Sequence, residues 1–194
     1  MIKNKCDLKK YMYQDKIALG ITRKKTRFFG DEIWKFEILM RQCEYYKNCH
    51  KTILTKFFYY LLYFKYYKQS IKLGFSIPLN VFGPGLSIAH RGTITVNGNA
   101  KIGKNCRIHE CTCIGATNGT GDAPQIGDNV FIGTGAKIIG NIVIGDDVAI
   151  GAGAVVTKSF EESNITIAGV PAKKISNNNS HSNLQKTLYE NNLL

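Results

Sequence analysis

Four histidines stand in this 194-residue chain, at His50, His90, His109 and His181. Imidazole is the side chain that takes or gives a proton near neutral pH, so acid–base chemistry would sit on one of them. His50 falls between two helical patterns and His181 in a polar C-terminal tail. His90 and His109 lie inside a six-residue repeat, 19 residues apart, about one coil of three repeats plus one residue. That spacing would bring them together on adjacent coils. Two chemistries are open to the pair. One is a general base that takes a proton from a hydroxyl while its oxygen attacks a thioester; for His109 the competing reading is a satisfied polar side chain on a coil face. The other is a zinc site of two His and a carboxylate such as Glu110, which would suit a hydratase. A metal held between subunits by three His lacks its third ligand, because the repeat region has no further His.

The element that must position these groups is the repeat itself. An aliphatic residue stands at Ile102, Ile108, Ile114, Ile126, Ile132, Ile138, Ile144, Ile150 and Val156, each six or twelve after the last. Six fits neither a helix nor a hairpin meander. It fits a coil of three short strands with one residue in six pointing inward, stacked into a β-helix with one aliphatic core. Gly follows at Gly103, Gly115, Gly127, Gly133, Gly145 and Gly151, where it is expected to relax the corners by accepting positive φ. The step from Ile88 to Val96 is eight rather than six, and from Ile114 to Ile126 it is twelve. The second departure contains Asn118-Gly-Thr-Gly-Asp-Ala-Pro124, which is turn chemistry and reads as a loop thrown out of the coil. Loops on rigid scaffolds are where binding concentrates.

Charge divides the chain near residue 73. Residues 1–73 hold 17 Lys/Arg against 6 Asp/Glu, and residues 74–175 hold 8 against 7. The first part reads as a basic, aromatic-rich helical domain, the second as the β-helix, and 176–194 as a flexible tail. A short helix is expected around Asp7–Gln14, a second begun by Asp31 as N-cap, and a third over Lys51–Gln69. The third is apolar almost all round, which suits an interface or a membrane surface. No nucleic-acid motif accompanies the basic residues. Six Cys without CxxC spacing, and no apolar leader, point to a reducing cytoplasm. The run Phe57–Phe64 is too short to cross a bilayer.

Gly74–Ile114 and Ile126–Lys174 resemble the serine acetyltransferases, hexapeptide-repeat enzymes that make O-acetylserine from acetyl-CoA. The carrying segments are GPGLSIAH ending at His90, NCRIHECTCIGAT, IGTGAKIIGNIVIGDDVAIGAGAVV and AGVPAKKI. The resemblance implies a mainly β fold, a left-handed parallel β-helix behind a small α-helical N-terminal domain. It implies a homotrimer, or a dimer of trimers, with active sites between subunits and no metal. His90, in His-Arg-Gly-Thr-Ile, falls on the family's catalytic base. Asp15 falls on an Asp that binds the acceptor's amino group, and His109, Glu110 and Asp122 join it as acceptor-binding candidates. The Gly115 amide would hold the thioester oxyanion. Acetyl-CoA would lie past Gly135, Ala136, Gly153 and Ala154, with Lys158, Lys173 or Lys174 on its phosphates.

Three departures bear on the acceptor. Ala89 stands where the family has an Asp before its His, and Phe75 where a second Asp orients that His. The family loop carries an Arg-His pair for the serine carboxylate, where this chain has Asp122 and Ala123. A carboxylate that fixes a His tautomer contributes to rate, and Glu110 or a backbone carbonyl would have to replace it. The acceptor is therefore L-serine by family pattern, or a sugar hydroxyl in capsule or surface-polysaccharide synthesis by the altered loop. Contact with a membrane surface through the basic helices is a further expectation.

Overall fold

One aliphatic side chain in six turns inward along the repeat, and the nine from Ile102 to Val156 expose at most 5% of their surface. Each such burial contributes about 1.5–3 kcal/mol, so this column drives the fold. The computed structural model describes residues 1–49, 52–117, 119, 121–191 and 193.

The column is enclosed by three faces of parallel strands. The first holds β1 (Phe75–Ser76), β3 (Ile94–Val96), β6 (Thr112–Gly115), β9 (Lys137–Ile139) and β12 (Val155–Val156). The second holds β2 (Ser87–Ile88), β5 (Arg107–Ile108), β8 (Phe131–Ile132) and β11 (Ala149–Ile150), and ends in the antiparallel pair β13 (Thr166–Gly169) and β14 (Ala172–Ser176). The third holds β4 (Lys101–Ile102), β7 (Gln125–Ile126) and β10 (Val143–Ile144). With three helices ahead of it, this is the expected left-handed β-helix with a small helical N-terminal part.

The repeat glycines have a different task from the one expected. None of the six has positive φ. A Cβ on Gly103 would lie 2.6 Å from the Gly127 carbonyl oxygen, and one on Gly127 would lie 2.8 Å from the Gly145 carbonyl carbon. Gly is needed there because successive coils touch. The left-handed corner falls instead to Asn105, Asn129 and Asp147, at φ 55°, 56° and 58°. Short polar side chains tolerate that conformation when they bond locally. Asn105 Nδ2 donates to Asn129 Oδ1 at 2.8 Å, and Asn129 Nδ2 to Asp147 Oδ1 at 2.9 Å, a ladder up one edge.

The N-terminal helices are α1 (Lys5–Ala18), α2 (Glu32–Cys49) and α3 (Ile53–Leu73). Asn4 caps α1 by accepting from the Cys6 and Asp7 amides. Thr52 and Thr55 form a capping box on α3, and Gly74 ends it at φ 81°. Asp31 precedes α2 as expected, but its carboxylate does not cap the helix. It turns back to accept from the Arg27 amide and Arg23.

Polar side chains from these helices meet the open edge of the first coil. Arg41 donates to the carbonyls of Phe82 and Gly83, at 2.9 and 2.6 Å, while Asp15 Oδ1 accepts from the Gly85 and Leu86 amides at 2.8 and 2.9 Å. Glu44 accepts from the Asn80 amide at 2.7 Å. Tyr66 and Ser70 donate to the carbonyls of Ile77 and Phe75. Glu37, fully buried, takes the Ile88 amide on Oε1 at 3.2 Å, and its Oε2 has no hydrogen-bond partner among the described residues.

The tail, expected to be mobile, is seated. It carries a 3-10 turn (His181–Asn183) and α4 (Lys186–Glu190). Leu184 and Leu188 pack with Ile17, Ala18 and Phe131, and Ser180 and His181 bond to Asn129 and Asp147 on the corner ladder. No helix among the described residues is long and apolar enough to cross a membrane.

Removing one partner of a buried ion pair strands the other. Arg41→Met should therefore lower unfolding free energy by roughly 3–5 kcal/mol, read from urea midpoints. Burial, and next the nearby Asp15 charge, raise the Glu37 carboxyl well above its usual range. A raised acid contributes fully below its unfolded value of about 4.3 and loses that contribution as pH climbs through its folded value. Glu37→Gln keeps the acceptor and has nothing to ionise. It should match the parent near about pH 4 and exceed it near about pH 8; identical pH curves for the two proteins would exclude a neutral Glu37.

Candidate active site

Coil length decides what faces His90. Ordinary coils take eighteen residues, as from Phe131 to Ala149. The first coil takes twenty, from Ser87 to Arg107, because of the long step after Ile88. Continuing that register sets His90 beside His109 and Glu110. Their rings meet edge to face with centroids 5.5 Å apart, and His109 meets the Phe131 ring at 5.2 Å.

Glu110 completes the cluster. One ligand atom each from His90, His109 and Glu110 lie within 4.8 Å of one another. Glu110 Oε1 accepts from Thr134 Oγ1 at 2.7 Å, and its backbone carbonyl takes the Gly135 amide at 2.9 Å. The other oxygen, Oε2, is buried without a hydrogen-bond partner among the described residues and stands 3.9 Å from His109 Nδ1. Gly92, at φ 138°, makes room, since a Cβ there would come 3.1 Å from Glu110 Cβ.

The electrostatics give the groups different charges. The Thr134 hydrogen bond holds the Glu110 carboxyl below its usual range. Desolvation, and then the Arg107 charge, lower the His109 pKa from its ordinary value. Arg107 stands two residues before His109, so both point out of the coil on one side. It is part-buried and donates through Nη1 to Ser87 Oγ at 2.8 Å. The corner thus offers a half-exposed imidazole pair, a carboxylate with a spare acceptor oxygen, and a guanidinium. Such a set can take a proton from a bound hydroxyl and hold opposite charges on the molecule that bears it. Two imidazoles and a carboxylate are also donors that zinc uses.

Other expected site residues lie elsewhere. Asp15 does not face the His pair; it is 1% exposed, bonded to Arg41 at 2.7 Å and to two first-coil amides. Its expected hold on an acceptor ammonium is replaced by a structural one. Gly115 ends β6, beyond the left-handed turn at Cys111 that follows Glu110. Asp122 is exposed on the loop after β6, whose Gly121 carbonyl is held by Asn99 at 2.6 Å. The expected turn at Asn118 and Thr120 lies outside the described residues.

Ala136 and Ala154 point into the aliphatic core and are fully buried, so their side chains line no outer groove. Gly135 and Gly153 do face outward, at φ 74° and 67°, with the Gly153 amide on the Thr134 carbonyl at 2.8 Å. Lys158 lies 5.4 Å from the Phe160 ring centroid, Lys174 pairs with Glu162 at 2.6 Å, and Lys173 is exposed.

Arg107 and Thr134 were not singled out in the sequence. Arg107 was legible as the outward residue before His109. Thr134 lies 24 residues after Glu110, opposite it only once the six-residue loop insertion is counted.

Residues 123–158 match the family described as bacterial transferase hexapeptide (six repeats). Serine acetyltransferase of Staphylococcus xylosus is 38% identical over 122 residues, 55% of this chain and 56% of that protein. Solved serine acetyltransferases share the fold. That of Neisseria gonorrhoeae in complex with serine has TM-score 0.64 and 25% identity, covering 89% of this chain and 70% of that one. A serine acetyltransferase complex with CoA has TM-score 0.61 and 25% identity, covering 88% and 66%. The chain spans little more than half the length of the curated relative. Matching repeats and a shared fold, with helices ahead of the β-helix, make this chain similar to the serine acetyltransferases.

Proposed function

We propose that this protein is an acetyl-CoA-dependent O-acetyltransferase that moves acetyl to the hydroxyl of L-serine. The observation that carries the reading is the His90–His109–Glu110 cluster at the long first coil, the position of the family's base. His90 takes the hydroxyl proton as that oxygen bonds to the thioester carbonyl carbon. The carbon–sulfur bond then breaks, and the CoA thiolate recovers the proton from the imidazolium. Products are O-acetylserine and CoA.

Glu110 stands in for the two Asp residues missing at Ala89 and Phe75. Its spare oxygen is within reach of the imidazole pair and would fix a tautomer in the productive orientation. Arg107 offers the serine carboxylate a cation where the loop lacks one. The pantetheine arm would pass Gly135 and Gly153 of a neighbouring subunit, with Lys158 and Lys173 near the phosphates. That arrangement needs a neighbouring subunit, a trimer by the resemblance, in which the Gly115 amide would hold the oxyanion. The short loop with Asp122 keeps a second acceptor in view, a sugar hydroxyl of a surface polysaccharide. Work on acetyl-CoA fits a cytoplasmic enzyme.

CoA release from acetyl-CoA with L-serine, and with a panel of sugar acceptors in parallel, decides between the acceptors. His90→Ala should reduce turnover by about 10²–10⁴-fold, the usual contribution of a general base; normal turnover would sink the mechanism. Arg107→Gln should raise the KM for serine roughly ten- to hundred-fold, the weight of hydrogen bonds to a charged group, with kcat changed less. An unchanged KM would remove Arg107 from the acceptor site. Chelators should leave turnover intact, whereas a hydratase reading needs bound zinc.

Proton NMR can follow His109 directly. It should titrate below the ordinary histidine value of about 6.5. Arg107→Gln, removing a nearby cation, should raise that midpoint, and Glu110→Gln, removing an anion, should lower it further. Shifts of the opposite sign would contradict the charge arrangement.

A further inference from the structure

Helix α3 buries only one side. Leu62, Tyr66, Ser70 and Leu73 face α2 and the first coil, while Ile53, Phe57, Tyr60, Phe64, Tyr67 and Ile71 are each more than half exposed. These six follow one another at steps of four and three, so they form a single stripe about 30 Å long on the outer face. An exposed apolar stripe of this size marks an interaction surface.

Charge selects the occupant. Lys56, Lys65, Lys68 and Lys72 flank the stripe, and no Asp or Glu occurs between Glu44 and Glu110. Lys65, Lys68 and Lys72 share a groove with Leu39 and Phe64, in which the Lys68 ammonium lies 4.8 Å from the Phe64 ring centroid. A second basic and aromatic element adjoins it. Phe28 and Phe29 are 88% and 84% exposed in a loop that also carries Lys24, Lys25 and Arg27. Gln69 Nε2 donates to the Glu32 carbonyl at 3.0 Å, which fixes this loop's end of α2 against the C-terminal half of α3.

We propose that this face docks on an anionic lipid surface, with α3 lying in the plane of the membrane. The Phe and Ile side chains enter the acyl boundary, and the tyrosine rings sit at headgroup depth with their hydroxyls in water. The lysines meet lipid phosphates. A stripe with steps of four and three also suits a second helix. Against another copy of α3, however, the flanking positions set ammonium against ammonium with no carboxylate to pair them. An anionic surface turns the same charges into attraction. The stripe shares no residue with the His90 cluster, so lipid binding and acetyl transfer are read by separate assays on separate variants.

The test is co-sedimentation of the full-length protein with phosphatidylcholine vesicles and with vesicles containing phosphatidylglycerol. The bound fraction should be roughly ten-fold or more higher on the anionic vesicles and should fall as salt is raised. Phe57→Ser/Phe64→Ser and Lys65→Glu/Lys68→Glu should each abolish most of that binding. Because these side chains are exposed, circular dichroism and melting temperature should stay unchanged. Absence of binding to either vesicle, or binding indifferent to both variants, overturns the proposal. So does a Phe57→Ser/Phe64→Ser protein whose assembly state drops in ultracentrifugation while vesicle binding is nil in the parent, since the face would then belong to a second copy.

Discussion

A parallel β-coil leaves its first turn with an edge of amides and carbonyls that no earlier coil can satisfy. Everything at the N-terminal end of this protein answers that constraint. Repeat folds need a terminal cap for this reason, and buried backbone groups without partners are costly. Here the cap consists of side chains. Arg41, Asp15, Glu44, Glu37, Tyr66 and Ser70 reach down from three helices to the backbone between Phe75 and Ile88. The polar groups are buried because the edge they serve is buried. Their mutual pairing, Arg41 with Asp15 at 2.7 Å and with Glu44 at 3.0 Å, keeps the charges from standing alone.

The same cap reaches the chemistry. Glu37 holds the Ile88 amide, two residues before His90, so α2 sets where the strand ends and the long step begins. That step adds two residues to one coil and leaves the others alone. On the far side, the pairing of β5 with β8 sets Thr134 and Gly135 under Glu110, with the six extra residues before β7 looped out of the coil. The corner thus follows from strand register, and the aliphatic column runs past both insertions without a break.

The repeat was legible because burial of one residue in six leaves a periodic trace. So was the approach of His90 to His109, which needs only the length of a coil. Residues whose role depends on direction were not legible. Ala136 and Ala154 share the inward position of Val130 and Val148, four after each repeat aliphatic, and the resemblance, not the periodicity, set them with the outward glycines along acetyl-CoA. Asp15 matched a pattern of sequence, but its partners Arg41, Gly85 and Leu86 are 26 to 71 residues away. The tail looked unable to fold because it has few apolar residues. It needs few, since Leu184 and Leu188 borrow a ready surface from Ile17, Ala18 and Phe131, and its polar groups borrow the Asn–Asp ladder.

The corner's charges bear on the kind of molecule it would hold. A neutral sugar presents hydroxyls and gains little from a guanidinium and a carboxylate on either side of the base. A zwitterion can match both. Arg107 and Glu110 act oppositely on His109, one lowering and one raising its affinity for a proton, with burial added on the lowering side. Binding an anionic group at Arg107 would screen that cation and make His109 more basic. A carboxylate-bearing acceptor would thus raise the proton affinity of His109 on arrival, and an uncharged acceptor would not. Asp122 does not counter this, because it lies on the loop at the other end of β6 and is not part of the His90 corner of its own chain.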